Sequence, residues 1–248
     1  TDDTDLHFAR QLVLERLTSA RGKLPEGIEP EMGPITTGLG EIFMFTVDAA
    51  EDARNADGSP VTPTDLRSVH DWIIRPQLLR VPGVVEVNPI GGFKKEILVA
   101  PDPAKLLGYG LGYSDLLTAL QQNNDNRGAG FIEHNGAQWL MRVPGQASTL
   151  DDLADIVITQ QAGIPVRVRD VATVTVGREL RSGAATQNGR EVVMSTVFML
   201  IGENSRTVAS AVADKLEDVQ ASLPAGISAT AVYDRTTLVD KTLATVRK

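Results

Sequence analysis

The chain has no cysteine, and this removes disulfides, thiolate metal sites and thiol nucleophiles together. Aromatic residues make up only 4%, so its cores should be aliphatic. No dense run of Lys or Arg occurs and the formal charge is -8, which argues against nucleic acid or an anionic membrane surface as the main partner. No stretch approaches the roughly 18 apolar residues that span a bilayer; the longest apolar run lies around Val192 to Ile201. There is neither an initiator Met nor a charged-then-apolar leader, so the chain reads as cut from something larger. What is present is ordinary globular composition: 42% hydrophobic and 23% charged residues leave no case for disorder. The 248 residues exceed the usual size of one domain, roughly 100 to 200 residues, and predict two or three compact units.

Apolar residues recur at helical spacing at Ala9, Val13, Leu17, Ala20 and Leu24, and Pro25-Glu26-Gly27 stops the helix. Val208, Val212, Leu216, Val219 and Leu223 repeat the pattern, stopped by Pro224-Ala225-Gly226. Each stop is followed by Ile, at positions 28 and 227, which predicts two similar helix-then-strand units. A third helical segment, Pro63 to Arg80, ends at Val81-Pro82-Gly83 and leads into the strand-like Val84-Val85-Glu86-Val87. Pro76 should bend this helix, because it lacks an amide donor and clashes with the preceding turn.

The middle of the chain differs. A helix is predicted near Tyr113 to Asn123, then a Gly-rich hairpin from Arg127 to Gly136, and strands at Gln138 to Val143 and Pro165 to Val176. Val166 and Val168 alternate with Arg167 and Arg169, as in a strand wet on one face, whereas Val192 to Ile201 reads as a central strand covered on both. The fold class is α+β, with split β-α-β units at the ends and an inserted α+β middle.

Four runs, Asp5 to Leu17, Met32 to Thr46, Pro63 to Gly92 and Asn188 to Thr207, resemble in order the first periplasmic loop of heavy-metal efflux transporters of the resistance-nodulation-division type, nearest the cobalt-zinc-cadmium branch. The resemblance implies the periplasmic part of a proton-driven homotrimeric pump of the bacterial inner membrane. It implies a first porter subdomain, incomplete, at 1–40 and 225–236, and a second at 41–91 and 182–224. A docking domain would occupy 92–181, and a helix leading to a membrane span 237–248. The implied partners are the other protomers, a periplasmic adaptor (membrane fusion) protein and an outer-membrane channel. A divalent cation, Zn, Co, Cd or Ni, would be cargo, with no cofactor. The alternative is a soluble periplasmic metal-binding or assembly module without transport activity.

No catalytic constellation can be assembled from motifs, so an enzyme is not expected. Gly38-Leu39-Gly40-Glu41 is followed by strand-like Ile42-Phe43-Met44-Phe45, not by the helix that a phosphate cradle needs. Glu41 stands at the entrance of that strand, and Glu86 interrupts an apolar one where packing would not select an acid. Two carboxylates facing one cleft suit a hard or borderline divalent cation with rapid release, and the resemblance places Glu41 and Glu86 where relatives carry transient metal ligands. The bland reading is two solvated strand-edge carboxylates. His7, His70 and His134 show no paired spacing and are expected on surfaces or helix faces. Met32, Met44, Met141, Met194 and Met199 are unclustered in sequence and expected in cores, favouring divalent over soft monovalent ions.

Overall fold

A computed structural model describes residues 5–25, 28–36, 40–123, 127–134, 137–143, 146–180 and 183–246; side chains are described outside 124–145, Leu243 and Val246. In chain order the first half contains α1 (Leu6–Arg21), β1 (Glu41–Ala49), α2 (Pro63–Val69), a π-helical turn (His70–Ile74), α3 (Arg75–Leu78) and β2 (Val84–Ile90). The middle holds β3 (Lys95–Pro101), α4 (Pro103–Gly108), α5 (Tyr113–Gln122), β4 (Arg127–His134), β5 (Ala137–Val143), α6 (Leu150–Ala154), β6 (Val157–Gln161), β7 (Ile164–Arg167), α7 (Val168–Val171) and β8 (Ala172–Arg178). The chain then returns through β9 (Ala185–Gln187), β10 (Arg190–Met199), α8 (Ser205–Gln220), β11 (Ile227–Asp234) and α9 (Arg235–Val246). Among the described residues no helix is long and apolar enough to cross a membrane.

The main sheet has the order β11-β1-β10-β2 with every neighbouring pair antiparallel, and β9 adds to the end of β10. Each β-α-β segment is therefore split: β10 lies between β1 and β2, and β1 between β10 and β11. Alternation along the strands sends Phe43, Phe45, Val47, Val193 and Val197 to one face, where they meet Leu66, Ile74 and Leu78 of the first helical arm and Val208, Val212, Leu216 and Val219 of α8. These side chains are almost all fully buried. Each such burial stabilises by roughly 1.5–3 kcal/mol. The predicted central strand is β10, with Val192, Val193, Ser195, Thr196 and Val197 buried on its two faces.

The helix over Pro63 to Arg80 forms with an N-terminal capping box. Thr62 Oγ1 accepts from the Asp65 amide (3.3 Å), and Asp65 Oδ2 accepts from the Thr62 amide (2.8 Å). Thr62→Ala is expected to cost about 1 kcal/mol, read as a lower urea midpoint at unchanged slope. Pro76 does perturb the helix. The perturbation is a widened turn rather than a simple bend: residues 70–74 adopt π geometry immediately before α3, whose second residue is Pro76.

Three expectations need correction. First, no strand follows the helix stop near Ile28: residues 28–34 have no regular structure, and Pro30 and Pro34 cannot donate to a ladder. The repeat holds in its helices, and only the copy at Ile227 makes a strand. Second, the boundary placed at 224 cuts a sheet. β11, assigned with 225–236 to the first unit, pairs with β1 from Phe43↔Asp234 to Ala49↔Ile227, so it belongs with 41–91 and 182–224. Third, Pro165 to Val176 is not one strand. The Asp170 carboxylate accepts the Arg167 amide (2.7 Å) and nucleates the single helical turn α7 between β7 and β8. That turn lets Val166, Val168 and Val171 all be buried.

The inserted middle leaves and rejoins the main sheet through the antiparallel pair β3–β8 (Lys95↔Arg178 to Pro101↔Ala172). Its own core gathers Leu116, Ala119, Leu153, Ile156, Val168 and Ala172. The hairpin expected within Arg127 to Gly136 is wider than that: Arg127–His134 is a single strand, β4, paired with β5, and Asn135-Gly136 lies outside the described residues. Helix α1 starts at Asp5, whose side chain accepts from the Phe8 amide (2.8 Å), and it has no buried residue.

Candidate functional site

The face of the main sheet away from the helices carries the two predicted glutamates. Glu41 on β1 registers with Phe198 on β10, and Phe198 registers with Glu86 on β2. The three residues form one row across three strands, with the two acids flanking the aromatic ring. Strands lie about 4.8 Å apart, so the two glutamate backbones are roughly 10 Å apart. Both acids are half-buried. Asn88 donates from Nδ2 to Glu86 Oε2 (2.9 Å) and fixes one of its oxygens. A backbone irregularity between Glu41 and Phe43 and another between Phe198 and Met199 both fall at this row, where the strands are locally re-aimed.

Met44 pairs with Thr196, and Met194 pairs with Thr46 and Ile90, which puts two half-buried thioethers on the same face as diagonal neighbours. This corrects the expectation that the methionines are unclustered core residues: of those whose side chains are described, Met199 packs against the core, Met44 and Met194 share the acidic face, and Met32 is half-buried in the irregular segment 28–34. Diagonal pairing across strands is invisible to sequence spacing. Among the described residues no three His, Asp or Glu side chains converge as a metal cage, so this row offers two carboxylates. His7 is exposed on α1, and the side chain of His134 lies outside the described set.

His70 departs from its expected surface position: it is 0% exposed, beneath the sheet on the helical side. Nδ1 faces Asp71 Oδ1 (2.7 Å), Nε2 faces Ser195 Oγ (2.9 Å), and the ring stacks on Phe45 with centroids 6.0 Å apart. Asp71 in turn accepts from Arg67 Nε (2.9 Å). Burial pushes the imidazole pKa down, reinforced by Arg67 and Arg75, against the opposing hydrogen bond and charge of Asp71. The neutral tautomer that fits donates from Nδ1 to Asp71 and accepts the Ser195 hydroxyl at Nε2. This Ser–His–Asp row was missed by sequence reading, although a serine inside Val192 to Val197 was a signal. It resembles hydrolytic machinery only in composition, because Ser195 and His70 are both 0% exposed and no substrate reaches the hydroxyl. It ties the π turn to β10. Arg75 Nε, donating to the Val87 carbonyl (3.1 Å), ties the same arm to β2 beside Glu86.

The AcrB/AcrD/AcrF family description matches residues 1–248. The chain belongs to this family. It is 56% identical over 247 residues to the cobalt-zinc-cadmium resistance protein CzcA of Cupriavidus metallidurans, covering 100% of this chain and 23% of that protein. It is 53% identical over 250 residues to protein HelA of Legionella pneumophila, covering 99% of this chain and 23% of that protein. A cation efflux system protein, CusA of Escherichia coli, is 38% identical over 244 residues, covering 98% of this chain and 23% of that protein. A crystal structure of a heavy metal efflux pump superposes on 99% of this chain and 24% of its own, at 27% identity and a TM-score of 0.83. The chain thus spans about a quarter of the length of the relatives it matches. The kinship with heavy-metal efflux transporters of the resistance-nodulation-division type and the α+β class, both read from the sequence, hold. The relatives are named as resistance and efflux proteins.

Proposed function

We propose that this AcrB/AcrD/AcrF chain is the periplasmic part of a proton-driven heavy-metal cation efflux pump of the bacterial inner membrane. The observation that carries the reading is the end-to-end likeness to a cobalt-zinc-cadmium resistance protein. In this reading 1–40 form part of a first porter subdomain, 41–91 and 182–234 the second, 92–181 the docking domain, and α9 the helix running toward a membrane span. The protein works as a homotrimer with a periplasmic adaptor and an outer-membrane channel, and its cargo is a divalent cation, Zn, Co, Cd or Ni.

Glu41 and Glu86 act as transient ligands on the open sheet face. Carboxylates bind such ions weakly enough to release them, and the half-buried methionines beside them add soft, polarisable surface. Two acids leave most of a coordination shell to water or to groups outside this chain. In the full-length protein carrying this chain, Glu41→Gln with Glu86→Gln is expected to lower zinc or cobalt resistance of a sensitive host toward that of cells lacking the pump. In the isolated chain, calorimetry should show low-affinity zinc heat that falls in the double variant. Undiminished resistance with normal expression reduces both residues to surface carboxylates, and sub-micromolar binding untouched by the changes places the ligands elsewhere.

A further inference from the structure

On the helical side of the second porter subdomain, α2 and the π turn border a cavity of about 520 Å³ against the exit of β2. Four cations line it, Arg67, Arg75, Lys94 and Lys95, with a single carboxylate, Asp71. Asp71 is already engaged by Arg67 and His70. Lys94 also lies 3.7 Å from Glu179, an exposed pair of little strength. At the mouth stands Trp72, 82% exposed, in a chain with few aromatics. Arginine and tryptophan are the residues most often found carrying interface energy. The two arginines are also held in place before any partner arrives, Arg67 by Asp71 and Arg75 by the Val87 carbonyl, so less side-chain freedom remains to be lost on binding.

We propose that this groove receives an acidic segment of a second copy of the chain; the proposal rests on reading the chain as one protomer of a homo-oligomeric pump. The charge balance selects the partner. A chain of formal charge -8 that gathers four cations around one engaged carboxylate presents complementary surfaces to its own copies. The contact joins unlike surfaces, groove to acid, and repeated head to tail it closes a ring, the arrangement that the homotrimer of the proposed function requires. The groove also spans the arm that anchors β10 and the point where the insertion departs, so its occupant touches both bodies of one protomer.

The test replaces Trp72 in the full-length protein with the photoreactive residue benzoylphenylalanine, an exposed position whose change leaves the core untouched. Irradiation is expected to give a covalent dimer of the protein itself, with mass spectrometry mapping the joined peptide to a net-acidic segment. Lys94→Glu with Lys95→Glu should abolish that band, and raised salt should weaken it. A trimer that forms without Trp72 crosslinks overturns the groove assignment and leaves the pump reading standing. Crosslinks only to another protein, to lipid, or to a basic or apolar segment of a second copy also overturn it. Failure of the full-length protein to form any oligomer removes the reading on which the proposal rests.

Discussion

Phe45→Ala is expected to lower the unfolding free energy by about 3–5 kcal/mol, measured by urea denaturation at neutral pH. Phe45 is 0% exposed in the middle of β1 and packs in the cluster that joins sheet to helices. Its ring also covers the imidazole of His70, so truncation opens a void beside a buried polar group. With whole-domain stabilities of about 5–15 kcal/mol, a loss of that size takes a large share of the total. Phe8→Ala is the control: Phe8 is 57% exposed on α1, and the change should stay within about 0.5 kcal/mol. A Phe45→Ala loss below about 1 kcal/mol would show that the sheet face repacks freely, contrary to a core in which the neighbours of Phe45 are fixed.

The second large effect is the acid sensitivity set by His70. Its folded pKa is pushed down chiefly by burial, below the ordinary value near 6.5, so in mild acid the unfolded chain binds a proton that the folded chain refuses. The stability tied to neutral His70 is therefore complete above about pH 6.5 and is lost as pH falls through the folded pKa. Asp71 behaves differently. Burial pushes its carboxyl up, but the hydrogen bond from His70 and the charge of Arg67 outweigh that and hold it below the usual 3.8. Asp65 is held down in the same way by Thr62, Asn55 and Lys95, again against burial. Their contributions persist until pH falls below about 4, so the loss between about pH 6.5 and about pH 4 belongs to His70. His70→Leu is expected to cost about 1–3 kcal/mol at pH 7.5, because Ser195 and Asp71 lose their partner, and to flatten the slope across that window. Urea melts at several pH values check both. An unchanged slope in the variant would assign the acid loss to other groups.

How much could be read beforehand followed the range of the forces involved. The helices over Tyr113 to Gln122 and Ser205 to Gln220 were legible, because their period and caps are local. The kinship was legible because four motifs keep their order along the chain. The membership of β11 was not: Ile227 to Asp234 joins β1 across about 180 residues, and no local signal states which strand a strand will meet. The α7 turn was missed because alternation of Val and Arg outweighed the short-range Arg167–Asp170 cap. At the site, the chemistry of Glu41 and Glu86 could be named from sequence, whereas their common partner Phe198 and the diagonal thioethers emerged only from register. His70 was misplaced because a histidine on a helix face reveals nothing of Ser195, 125 residues away.

The order β11-β1-β10-β2 also has a consequence for synthesis. Both neighbours of β1 lie far downstream, with Ala49 meeting Arg190 across 141 residues. At roughly 5–20 residues per second, the ribosome needs on the order of ten seconds to deliver them. Throughout that interval Ile42-Phe43-Met44-Phe45, three of whose four side chains end up buried, has both edges open and no partner. In that interval the segment carries the pairing hazard of an exposed apolar strand, which ends when β10 and β11 close over its two edges.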